Sequence, residues 1–180
     1  MIKSLKIACL ASALLIPAIA LRAAEAAKPS GEMKHEHPMA PKGSAELERL
    51  KGLAGTWEGK SPMGPATIQY KVTGGGSTVE ETIMPGTPGE MTTVFYDQDG
   101  KVQLTHYCAL GNHPSMKLTK SEANKMEFDM VDGSAPAASM HMHALTLSTP
   151  DKDHLIADWT LFDKGAKKDV STFTLTRKKT

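Results

Sequence analysis

From Gly55 onward, apolar and polar residues alternate with a period of two, in short runs that turn chemistry repeatedly cuts off. Ala66, Ile68, Tyr70 and Val72 alternate with Thr67, Gln69 and Lys71, the pattern of a strand with one buried and one wet face. Further runs cover Gly55–Lys60, Thr78–Met84, Glu90–Tyr96, Lys101–Ala109, Met116–Lys120, Lys125–Val131, Met140–Ser148, His154–Phe162 and Asp169–Lys178. Breaks such as Gly74-Gly75-Gly76, Asp97-Gln98-Asp99-Gly100 and Pro150-Asp151-Lys152-Asp153 separate them. No long stretch carries the three-and-four spacing of a helix. About ten short antiparallel strands must hide their edges, by closing on themselves or by stacking as two sheets. No fixed repeat with a signature residue supports a propeller. The expected fold is therefore all-β: an up-and-down barrel of about ten strands, with an interior able to hold a ligand.

What precedes Gly55 divides into three. Residues 1–26 read as a signal peptide: Lys3 and Lys6, then an apolar stretch from Ile7 to Leu21, then small residues with Ala24-Glu25-Ala26 as a cleavage site. The stretch is short for a membrane span and lacks a stop-transfer flank, so export to the periplasm or outside the cell is expected. Residues 27–43 are a leader rich in Pro and Gly without apolar periodicity. The barrel domain is expected over 44–180, opening with a short helix that Ser44 caps and that carries Leu47, Leu50 and Leu53 on one side. Losing Lys3, Lys6, Arg22 and Glu25 takes the formal charge from +1 to −1. A nearly neutral chain without a basic block gives no electrostatic reason to expect nucleic acid or an anionic membrane as partner. Of the two cysteines only Cys108 lies beyond the signal peptide, so no internal disulfide is available to the exported form.

A short helix running into Gly55-Thr56-Trp57, together with Arg177 on the last strand, resembles the calycin pattern of lipocalins, fatty-acid-binding proteins and nitrobindin-like proteins. The resemblance implies that Trp57 closes one end of the barrel while Arg177 stacks across it, a cation–π contact with stem packing. More specifically, Leu53-Ala54-Gly55-Thr56-Trp57-Glu58-Gly59, His106-Tyr107-Cys108 and Trp159 resemble a group of exported bacterial proteins related to DUF1579. That likeness covers nearly the whole domain; it implies a barrel-like fold and brings no established activity. Haem-binding nitrobindin-like chains carry a third glycine where this one has Ser61.

Two strand runs carry metal-capable pairs. Regular alternation places Val102, Leu104, His106 and Cys108 on one face, and His141, His143, Leu145 and Leu147 on another. Imidazole and thiolate suit zinc, copper and haem iron. Histidines two apart on a strand lie ~7 Å apart on one face and can share an ion. His106, Cys108, His141 and His143 are therefore the expected metal ligands, pointing into the barrel. Trp57, Tyr107, His113 and Arg177 are the expected cofactor-contacting residues around the interior, with Tyr107 turned outward and His113, in Gly111-Asn112-His113-Pro114, at the mouth. The same polar side chains could instead serve only one another by hydrogen bonding. Met33, His35, His37 and Met39 in the leader form a second candidate copper tract.

Enzyme signatures are mostly absent: the chain has no nucleophile elbow, phosphate loop or H-E-x-x-H, and only Cys108 with His106 on one face offers a thiolate–imidazole couple. Glu80 and Glu81 face opposite ways on a strand and cannot act as a carboxylate pair. The expected function is binding a small molecule, with zinc, copper or haem as the leading ligand. A metal-assisted hydrolase using the same cluster, or an envelope protein with a filled core, are the alternatives.

Overall fold

The computed structural model describes residues 42–136 and 138–179. The expected signal peptide, nearly all of the expected leader and the Met33/His35/His37/Met39 tract lie outside the described residues. Ten antiparallel strands form a closed barrel in which each pairs with the next and the last with the first. They are β1 Gly55–Ser61, β2 Gly64–Thr73, β3 Thr78–Ile83, β4 Met91–Gln98, β5 Lys101–Tyr107, β6 Ser115–Glu122, β7 Lys125–Met130, β8 His141–Asp151, β9 His154–Asp163 and β10 Ala166–Arg177. This is the closed barrel that the alternating pattern predicts. Among the described residues no helix is long and apolar enough to cross a membrane.

Two hairpins show why the register is fixed. Asp99 and Gly100 (φ 53° and 76°) join β4 to β5, and Lys164 and Gly165 (φ 53° and 78°) join β9 to β10. Both are two-residue loops with both central residues at positive φ, whose twist matches that of the flanking strands. From them the alternation delivers Val102, Leu104 and His106, then Leu155, Ala157 and Trp159, to the buried face, and β3 likewise buries Val79, Glu81 and Ile83. Phe95 and Phe128 meet edge to face at 5.8 Å within this core.

One end of the barrel is plugged. Helix α1, Ala45–Lys51, is capped by Ser44, whose Oγ accepts from the Leu47 N–H (3.1 Å) and donates to Asp97 Oδ1 (2.7 Å). That bond ties the helix to the β4–β5 hairpin, and Leu47, Leu50 and Leu53 join the core. Trp57 is fully buried, its indole N–H donates to the Leu53 carbonyl, and the Arg177 guanidinium lies 4.2 Å from its ring centroid. Arg177 also donates to the carbonyls of Gly52, Ala54 and Lys152. The expected closure by Trp57 and Arg177 is present.

Candidate functional site

At the opposite end the β1–β2 hairpin and the inner faces of β3, β4, β5, β8, β9 and β10 surround a cavity of about 90 Å³. Its wall is chiefly apolar, with Ile83, Met91, Met142 and Phe173 among the lining residues, and it also receives His106 and Trp159. A larger depression of about 310 Å³ on the outer wall, beside Glu58, Thr67 and Met84, lies open to solvent. The smaller cavity is the better site because it holds buried polar atoms with nothing to bond. His106 Nε2 and Trp159 Nε1 both lack a partner, although both residues are buried and their rings stand 4.3 Å apart. Each unpaired buried group costs about 1–3 kcal/mol.

Behind His106 runs a buried polar chain. The Thr93 hydroxyl bonds His106 Nδ1 at 3.0 Å, because Thr93 and His106 are directly opposed across β4 and β5. Thr93 also favours the ionised form of the Glu81 carboxylate, which accepts from Tyr70 Oη at 2.5 Å, while Glu81 Oε2 keeps no partner of hydrogen-bond geometry. Burial dominates the electrostatics here. It raises the Glu81 carboxyl above its usual range and lowers His106 to about 4, so His106 is neutral near neutral pH. A neutral imidazole held through Nδ1 leaves Nε2 free as donor or acceptor, according to which way the Thr93 hydroxyl points.

The expectation that four metal-capable side chains converge inside is corrected by the structure. Only His106 points into the closed interior. Cys108 follows the end of β5 on the same side, half-buried, with its Sγ 4.0 Å from Met91 Sδ and its thiol raised by burial. The register places His141 and His143 on the outer face, where His141 is nonetheless buried and His143 partly so. The pairing of β8 with β9 slips between Met142 and Ala144, and the extra residue reverses the inside–outside pattern. Leu145 stays inward opposite Trp159, and Met142, opposite Leu161, reaches the cavity. His143 therefore stacks on Phe162 at 3.8 Å and meets the exposed carboxylate of Asp129. Among the described residues no three His, Cys, Asp or Glu side chains form a group that could hold a metal ion.

The other candidates also separate in space. Tyr107 is exposed and stacks on His113 at 6.0 Å, and neither lines the cavity. Trp57 and Arg177 belong to the plugged end. Sequence reasoning missed Glu81, Thr93 and the two cavity methionines, and it used Trp159 only as part of a resemblance. Glu81 did leave a signal: an acid between Val79 and Ile83, on the inward parity of β3, must be buried if the alternation is taken literally. Comparison with protein-family models and with curated proteins finds no match to this chain.

Proposed function

We propose that this is an exported, calycin-like binding barrel that holds a small, mostly apolar ligand in the cavity beside His106. One observation carries the reading: two unpaired buried nitrogens, His106 Nε2 and Trp159 Nε1, in a wall whose other residues, Ser171 apart, are apolar. A ligand with an apolar body and one polar atom relieves both penalties while covering the wall, the usual composition of a small-molecule site. Size narrows the class. A cavity of 150 Å³ is known to take benzene, and this one is about 90 Å³. It therefore suits a molecule of few heavy atoms, or the end of a longer one, with the flexible Met91 and Met142 yielding at the wall. It does not enclose a porphyrin, so the residues present fit haem poorly.

The test uses the chain's two tryptophans as internal reporter and control. Phenol and 1-butanol are titrated while the two indole N–H signals are followed by NMR. The Trp159 signal should move, and the Trp57 signal, already bonded to Leu53 at the far end, should not. Substitution of Met142→Trp should abolish the shift by filling the cavity. If neither probe moves Trp159 ahead of Trp57, the reading fails.

The chain from Tyr70 through Glu81 and Thr93 to His106 favours a second reading, in which His106 exchanges a proton with a bound molecule. Neighbouring groups with pKa values pushed apart are a recurrent feature of acid–base sites. Hydrogen–deuterium exchange into a bound carbon acid, lost in His106→Gln, would distinguish it from simple binding.

A further inference from the structure

We propose that the outer face of β8 carries a separate site for a divalent late transition metal ion, formed by His141 Nε2 and His143 Nδ1. It is independent of the cavity, which lies on the other side of the sheet.

The argument begins with proton positions. His141 Nδ1 lies 2.7 Å from the Ser139 carbonyl oxygen, which can only accept. The ring proton therefore sits on Nδ1, and Nε2 presents a lone pair. His143 Nε2 lies 3.5 Å from the carboxylate of Asp129, an acceptor placed to receive the ring N–H when Nδ1 gives up its proton. His141 Nε2 and His143 Nδ1 are 3.2 Å apart, a hydrogen bond when the His143 proton sits on Nδ1. A metal ion that takes the place of that proton would be held by both rings at once.

The geometry fits a metal. Two nitrogens bound at ~2.0–2.1 Å to one tetrahedral ion stand ~3.3–3.4 Å apart, close to the separation already present. The outer partners match as well. Ligating histidines almost always donate their second N–H to a carbonyl or carboxylate, which fixes tautomer and ring angle; Ser139 and Asp129 supply one of each. Phe162, stacked on His143 with the rings tilted by 15°, holds that imidazole in place. His141 is buried and the His143 side chain is 27% exposed, so an ion can reach the pair from one side with water completing its coordination. A neutral N-donor pair with open positions should follow the usual order of affinities, Cu²⁺ above Ni²⁺ and Zn²⁺.

The experiment uses the full chain with His35→Ala and His37→Ala, which removes competing leader imidazoles. Cu²⁺, Ni²⁺ and Zn²⁺ salts are added singly; bound metal is counted by elemental analysis after dialysis, and the Cu²⁺ form is examined by EPR. One equivalent of Cu²⁺ with hyperfine coupling to two imidazole nitrogens is expected. It should be lost in His143→Ala. Asp129→Asn, at an exposed position, should keep the fold and weaken binding about 10- to 100-fold, as outer-partner substitutions do. Phenol should still shift the Trp159 indole in His143→Ala, so failure of the metal site and failure of the cavity reading are told apart. Absence of bound Cu²⁺ in the leader-substituted chain, or an unchanged equivalent in His143→Ala, overturns the proposal.

Discussion

Replacing His106 by glutamine should alter the barrel's response to acid far more than its neutral stability. Burial lowers the folded-state pKa of His106 from 6.5 to about 4. Between those values the unfolded chain holds a proton that the folded chain refuses, so stability falls as the pH drops through this window. Above about pH 6.5 both states are neutral at this residue and the contribution is intact. At about pH 4.5 the loss amounts to ~2.5 kcal/mol, from 1.36 kcal/mol per pH unit. Glu81 acts in the opposite sense. Its raised pKa means that the folded state takes up a proton first, and stability from this source is lost as the pH rises through the folded pKa. The wild-type curve alone therefore understates the histidine term, and the comparison must be a difference of differences. Urea unfolding at about pH 7 and about pH 4.5 provides it, with unchanged m-values as the check on two-state behaviour. Wild type should lose ~2.5 kcal/mol more than His106→Gln on acidification. Equal losses, within ~0.5 kcal/mol, would falsify the assignment of a buried neutral imidazole.

Two further outcomes concern the closure of the barrel. Arg177→Ala removes a cation–π contact and three bonds to carbonyl groups at the plugged end; it should lower stability by ~1–3 kcal/mol in thermal or urea melts, with Arg177→Lys restoring only part because an ammonium cannot span the same fork. A Cβ on Gly59 would overlap the Thr174 carbonyl oxygen and crowd the Leu175 Cα across the β1–β10 seam. Gly59→Ala should therefore prevent tight closure and yield protein that melts non-cooperatively or does not accumulate, and a cooperative melt within ~1 kcal/mol of wild type would show that the seam can yield.

The barrel was legible because its information is local. Each strand announces itself by alternation and each hairpin by residues that tolerate positive φ, so ten elements follow without knowledge of tertiary contacts. The site was less legible because it depends on parity across neighbouring strands. The alternation by itself buries His106, since β5 pairs regularly with β4 and its pattern runs unbroken from Val102. His141 and His143 were misplaced by one residue of slip in β8. The run from Met140 to Leu147 contains two incompatible parities, one anchored by Leu145 and Leu147 and the other by Met142. Nothing within the segment says that both are honoured by a bulge; that emerges from pairing with Leu161 and Trp159 on β9. Glu81 was visible as an inward acid, but its partners Tyr70 and Thr93 lie on the two flanking strands.

Closing a barrel and keeping a cavity inside it are opposed demands, and this chain meets them at opposite ends. Its rigid elements gather at the plugged end: the capped helix with Leu47, Leu50 and Leu53, the buried Trp57, and Arg177 spanning three backbone carbonyls. The cavity end is lined instead by methionines, whose unbranched thioethers re-pack at little cost, and Met63 on the β1–β2 hairpin is 81% exposed. At that end Thr93 holds one imidazole, His106, in place within a wall that otherwise yields. Sites so far apart, sharing no side-chain partners, should act additively. A substitution at Arg177 should shift the melt without changing the Trp159 response to phenol, and one at Met142 should do the reverse. A large coupling between the two would mean that the cavity is held open by the plug, and the division of labour argued from the structure would have to be abandoned.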